Sequence, residues 1–147
     1  MSQVKKLTPE AVIQLWPHIK DAVRAGLPPM MDNSKEALDY TLGMLSQGRM
    51  QMWILFKDDD LKEPRALAIT SIIHEPGFDY KNLLIYALVS FGGVSTDEWK
   101  VGFETIKKFA KEIGCHRIIG FTNVQRVVDI TQSLGGKAEY VLLTLEV

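Results

Sequence analysis

Three apolar runs of strand length, separated by turns, constrain this chain more than any other feature. They occupy residues 50–56, 66–73 and 83–91. Each is nearly continuous in large aliphatic or aromatic side chains, which marks strands covered on both faces. Asp58-Asp59-Asp60 separates the first two and Pro76-Gly77 the second two, and both stretches read as exposed turns. Connections this short pair neighbouring strands antiparallel, so the three runs form a meander. A sheet apolar on both faces needs helices on both sides of it.

The helices flank the meander in the sequence. Residues 4–7 suit a short opening strand. Thr8, Pro9 and Glu10 then suit a helix N-terminus, as cap, first-turn proline and acidic partner of the helix dipole. Val12, Leu15, Ile19 and Val23 recur at helical spacing up to Gly26 and Pro28. Pro17 lies inside that pattern, so a kink or an early break is expected there. Asn33 or Ser34 caps a second helix carried by Leu38, Leu42 and Leu45, and Gly48 ends it.

After the meander, Gly92-Gly93 stops the third run. Ser95 and Glu98 have the spacing of a capping box. Trp99, Phe103, Ile106, Ala110 and Ile113 make the apolar stripe of a long helix that Gly114 closes. Residues 117–121 read as a short strand, which gives a parallel, right-handed crossover. Residues 124–134 read as a further helix ended by Gly135-Gly136. Residues 140–147 read as a final strand with Val141, Leu143 and Leu145 on one face. The expected class is α/β of the mixed α+β kind, a single domain over residues 1–147. Its central mixed sheet has an antiparallel meander followed by a parallel βαβ crossover, with helices on both faces.

Composition narrows the function classes. Seventeen Lys and Arg stand against eighteen Asp and Glu, a net charge of −1. That balance supplies no long-range field for nucleic acid or anionic membrane, so neither is an expected partner. A lone cysteine, Cys115, forms no internal disulfide. No apolar stretch approaches the roughly 20 residues needed to span a bilayer, and the first residues lack a secretory pattern. The expected location is cytoplasmic. His18, His74 and His116 show no metal-ligand spacing, so no metal is expected.

Several stretches resemble a known family when taken in order. Val4-Lys5-Lys6-Leu7-Thr8-Pro9-Glu10 is similar to its opening strand and helix start. Residues 83–90 resemble its central, cofactor-bearing strand. Phe109-Ala110-Lys111-Glu112-Ile113-Gly114-Cys115-His116-Arg117-Ile118 resembles the end of its cofactor-side helix and the next strand. Asn123 followed by Leu134-Gly135-Gly136-Lys137 is similar to its fourth helix region. The family is that of the GNAT N-acetyltransferases, which use acetyl-coenzyme A. The resemblance covers most of the chain and implies acetyl-CoA as cofactor and an amine as acceptor.

The chain departs from that family at the helix start that holds the cofactor pyrophosphate. The family pattern is Gln or Arg, two residues, Gly, one residue, then Gly or Ala. Val94, Asp97 and Trp99 stand at those places. Asp97 and Glu98 add negative charge where a pyrophosphate would bind. Thr131 replaces a Tyr that many family enzymes use as general acid, and Gly136 replaces a Phe. One strand follows the last helix where the family usually has two.

Candidate site residues follow from the residues and the resemblance together. Gly92, Gly93, Ser95 and Thr96 are the candidates for holding the cofactor, as a glycine turn leading into a helix N-terminus. Tyr86 and Ser90 share parity on the central strand and are expected on one face. Tyr86 is then a candidate to orient a ligand or donate a proton, or else a packed core phenol. Asn123 is a candidate ligand contact by resemblance, and Thr122-Asn123 is also a good helix cap. Cys115 and His116 read as packing residues before catalytic ones, and Glu75 and Asp79 as an acidic loop.

Two functional readings come first. One is a degenerate GNAT-like protein without the standard pyrophosphate loop, acting as a binding or structural module. The other is an atypical acetyl-CoA dependent N-acyltransferase working on an unknown amine. A third is a small subunit of a larger assembly, viral for instance. The expected partner is a small molecule or a protein, with a homo-oligomer among the possibilities.

Overall fold

The computed structural model describes residues 2–28, 35–57, 64–77, 79–122 and 124–147. The expected cap at Asn33 or Ser34, the Asp58-Asp59-Asp60 turn and Asn123 lie outside the described residues.

The chain opens with β1 (Gln3–Lys6), α1 (Pro9–Ala25) and α2 (Lys35–Ser46). The meander follows as β2 (Met50–Phe56), β3 (Pro64–His74) and β4 (Lys81–Ser90). Next come α3 (Thr96–Glu112), β5 (Arg117–Gly120) and α4 (Gln125–Ser133). The sheet order is β1-β2-β3-β4-β5. The first three pairings are antiparallel and β4–β5 is parallel; the short β2–β3 and β3–β4 connections and the helical crossover from β4 to β5 account for the last three. Among the described residues, no helix is long and apolar enough to cross a membrane.

Local chemistry sets the helix ends. The Thr8 hydroxyl accepts from the Ala11 N–H at 3.2 Å and caps α1. The capping box of α3 is complete: Ser95 Oγ accepts from the Glu98 N–H, and Glu98 Oε1 from the Ser95 N–H, each at 3.1 Å. Gly114 ends α3 at φ +81°, where a side chain would be strained. The Cys115 N–H reaches back to the Ala110 carbonyl at 2.8 Å, a Schellman-type closure.

α1 runs unbroken through Pro17, so of the kink or early break expected there the break does not occur. The proline leaves the Ile13 carbonyl without its helical donor. Ile13 is on the exposed side, while Val12 and Val23 are buried on the opposite side. Packing of the buried stripe outweighs one lost hydrogen bond.

The sheet carries a core on each face. Val12, Val23, Leu38, Leu45, Met52 and Ile69 belong to the cluster under α1 and α2. Trp53, Ala68, Leu83, Ile106 and Ala110 belong to the cluster under α3. Trp53 meets Phe109 edge-on at 5.1 Å and donates its indole N–H to Thr70 Oγ1 at 3.0 Å. Helices on both faces of a mixed sheet are as expected.

The final strand expected at residues 140–147 is not formed. Residues 136–147 carry no regular structure, and Val141, Leu143 and Leu145 stand out in solvent. Alternation gives a segment the capacity for a strand, but the edge open to it, β5, is only four residues long.

Candidate functional site

A defect in β4 defines the site. Ile69 pairs with Ala87 and Thr70 with Ile85, so Tyr86 is an extra residue in β4, a bulge. The parallel pairing with β5 stops at the same place, at Ile85 opposite Gly120. From Tyr86 onward β4 is paired on its β3 side alone, among the described residues. The Phe91 N–H donates to the Arg65 carbonyl at 2.9 Å. By antiparallel alternation, Ala87 and Val89 also turn their backbone groups to β3. Leu88 and Ser90 therefore turn theirs to the open edge.

The open edge leads into the turn before α3. Gly92 and Gly93 have φ of +108° and +58°, conformations that glycine adopts without strain. Ser95 and Glu98 close the capping box there. Among the described residues, no acceptor takes the N–H of Thr96 or Asp97. The end of α1 roofs the strand from the other side. A Cβ added at Gly26 would collide with Val89 Cγ2 and sit 3.1 Å from the Leu88 carbonyl oxygen.

No family model matches the chain, and no curated protein matches its sequence. Solved structures match it closely in shape. A predicted acetyltransferase from Clostridium acetobutylicum, solved with acetyl-CoA, has a TM-score of 0.70 at 18% identity, covering 99% of this chain and 96% of its own. The aminoglycoside N-acetyltransferase AAC(6')-Iy, with a CoA bisubstrate analogue, has a TM-score of 0.72 at 13% identity, covering 99% and 98%. Glucosamine-6-phosphate N-acetyltransferase from Arabidopsis thaliana has a TM-score of 0.65 at 13% identity, with the same coverage. The fold is that of the GNAT acetyltransferases.

On this GNAT frame, the acidic residues of the turn are not both turned toward an incoming anion. Arg65 Nε holds Glu98 Oε2 at 3.2 Å, and the same guanidinium donates to the Gly93 carbonyl at 2.8 Å. The hydrogen bond from Arg65 is the main cause that lowers the Glu98 pKa, with the Ser95 N–H adding to it. Glu98 thus ties the turn to β3, and Asp97 is the exposed carboxylate. Trp99 also faces inward. It stacks at a tilt on Phe103 and lines a cavity of about 30 Å³ with Trp53, Leu55 and Ala68. Among the described residues its buried indole N–H meets no acceptor.

α4 brings a cation to the turn. Arg126 donates to the Val94 carbonyl at 3.2 Å. Sequence reading missed this residue, because only the return of α4 over α3 brings position 126 near position 94. Val127 and Ile130 of α4 face Leu88, Trp99 and Phe103 across a narrow gap. The Thr131 hydroxyl turns back onto the Val127 carbonyl at 2.8 Å.

Tyr86 and Ser90 do not share a face. Leu84, Tyr86 and Ala87 all pack toward α1 and α2, whereas Leu83 and Leu88 pack toward α3. The bulge inverts the alternation between residues 84 and 88, which leaves Ser90 on the side opposite Tyr86. The Tyr86 side chain is buried, and its hydroxyl accepts from Thr41 Oγ1 at 3.4 Å. Gly92, Gly93, Ser95 and Thr96 do come together, at the end of the open β4 edge.

The other candidates have structural surroundings. Burial pushes the Cys115 thiol pKa up, against the opposing charge of Lys81, so the thiol is held protonated. His116 stacks on Tyr80 with ring centres 3.7 Å apart. Glu75 accepts from Asn82 at 2.6 Å and from Arg117 at 3.2 Å. His18 and His74 are exposed, and among the described residues no group of His, Cys, Asp and Glu could hold a metal.

Proposed function

We propose that this protein binds an acyl-coenzyme A along the open edge of β4 and transfers the acyl group to an amine. The bulge at Tyr86, set where β5 ends, is the observation that carries this reading. It leaves the backbone groups of Leu88 and Ser90 facing a gap, and amides of a pantetheine arm can pair with a strand edge as a further strand does. Gly92, Gly93, Ser95 and Thr96 then face the phosphates, with the free Thr96 and Asp97 N–H groups at a helix N-terminus. Arg126 supplies the positive charge that Val94 does not. Structures sharing the fold were solved with acetyl-CoA or a CoA analogue, which supports the choice of donor.

Transfer in such a groove rests on proximity, with Leu88 or Ser90 N–H groups polarising the thioester carbonyl. The amine attacks that carbonyl carbon, the carbon–sulfur bond breaks, and the coenzyme leaves as thiolate with the amine proton released. Asn123 is the proposed assisting residue, since the Tyr86 hydroxyl faces Thr41 away from the gap.

A second reading is a module that binds the coenzyme without turnover. It is favoured by the two hydroxyls that turn away from the gap, Tyr86 toward Thr41 and Thr131 toward Val127. Calorimetric titration with acetyl-CoA at low salt tests the donor site. One site of micromolar strength is expected, weakened by Ser90→Pro, which removes an outward N–H while sparing the β3 ladder. No heat at millimolar coenzyme overturns both readings. Binding without acyl transfer to any of a broad amine panel selects the second.

A further inference from the structure

Residues 141–147 leave the domain as an uncovered apolar strip. Val141, Leu143 and Leu145 are 84%, 87% and 90% exposed. The root of the strip is anchored. Arg117, the first residue of β5, lies 3.9 Å from Glu139, and Glu139 lies 4.0 Å from Lys137. Beyond that root, no hydrogen bond holds residues 141–147 among the described residues. Val141, Leu143, Leu145 and Val147 share one face of an extended strand. A row of four large aliphatic side chains in water marks an interaction surface.

The strip is complementary to itself. Antiparallel pairing with a second copy about a twofold axis at Thr144 sets Val141 opposite Val147 and Leu143 opposite Leu145. It sets Thr144 opposite Thr144, and Glu146 opposite Leu142 instead of another Glu146. All eight odd-numbered side chains then lie on one face, with apolar and Thr–Thr cross-strand pairs and no like charges opposed. Moving the axis to Leu143 puts Val147 opposite Glu139. Moving it half a residue either way sets Glu146 opposite Val141 or Leu143 and Thr144 opposite Leu143 or Leu145, and splits the odd-numbered aliphatic row between the two faces. The chain's own open edge is a poorer match, because β5 has four residues and the strip has seven. We propose that residues 141–147 are a dimerisation strand that pairs antiparallel with the same segment of a second copy, centred on Thr144.

Sedimentation velocity on the full chain, from low to high micromolar, tests the pairing. A dimer of twice the 16.6 kDa chain mass is expected. Leu143→Lys with Leu145→Lys opposes like charges and is expected to give monomer at every concentration, with an unchanged circular dichroism melt. The register is tested in a Cys115→Ser background. Thr144→Cys is expected to cross-link into a covalent dimer under mild oxidation, since directly opposed residues lie within disulfide range. Glu146→Cys is not. A wild-type monomer throughout, a dimer that survives both lysines, or cross-linking at 146 as readily as at 144 overturns the proposal.

Discussion

The region from β1 to α3 and the region after it are built differently. Every buried residue lies at or before Ala110, and no described residue beyond it is buried. The first region sandwiches the meander between α1, α2 and α3 and holds two large clusters. In the second region β5 and α4 lean on that frame with half-buried side chains, and the strip stands clear of it. The frame therefore stands on its own packing. The later elements form one wall of the proposed site and leave apolar surface uncovered.

The largest effects are expected where the two regions differ most. Ile69 is fully buried in the middle of the sheet, and Ile119 is half-buried on β5. Ile69→Ala is expected to cost about 3 kcal/mol through lost burial and a residual cavity, and Ile119→Ala about 1 kcal/mol. Urea denaturation of both variants measures the difference. Equal losses break the contrast between frame and wall.

Two glycines sharpen the same contrast at the next scale. Gly26 lies against Val89 and the Leu88 carbonyl, while Gly102, inside α3, has nothing within 4 Å of an added Cβ. Gly26→Ala is expected to destabilise by about 2 kcal/mol through overpacking at the β4 edge. Gly102→Ala is expected to stabilise by about 0.5–1 kcal/mol through helix propensity. A neutral Gly26→Ala shows that α1 can lift from β4, and the roof of the site is then movable.

Much of the frame was legible in the sequence because its signals are local. Apolar runs, Thr8, the Ser95–Glu98 box and Gly114 each act within a few residues of themselves. The site was less legible because it arises from mismatch between elements. No residue type announces the bulge at Tyr86; it exists only in the register of β4 against β3, and it reverses the parity on which pairing Tyr86 with Ser90 depended. Arg126 reaches Val94 by way of tertiary packing. The strip at residues 140–147 has the alternation of a strand, yet strand formation depends on an edge that the local sequence does not specify. Pro17 is the opposite case, a strong local signal outweighed by a buried helix stripe.

A smaller effect tests the link between β3 and the turn. Arg65 and the Ser95 N–H lower the Glu98 pKa, so the ionised carboxylate stabilises the fold. A lowered pKa means that this contribution is complete above the usual carboxylate range and is lost as pH falls through the folded-state value. Glu98→Gln keeps a capping side chain and removes the charge. Wild type is expected to melt above the variant at neutral pH, with the gap closing from about pH 4 downward. A gap independent of pH shows that Arg65 contributes through packing and not through charge.

The smallest effect is expected in α4, where it is most telling. Val128 is half-buried, and α4 holds no buried residue. Truncation to Ala loses two methyl groups of partial burial, worth well under the roughly 0.8 kcal/mol of a fully buried methylene each. Ala is also the better helix former by several tenths of a kcal/mol, because it loses no rotamer freedom. The two terms nearly cancel, so Val128→Ala is expected to shift stability by less than about 0.5 kcal/mol. With saturating acetyl-CoA the same variant is expected to lose more, because a bound coenzyme that touches α4 stabilises only the docked wall. Equal changes with and without coenzyme separate α4 from the binding site and return it to the frame.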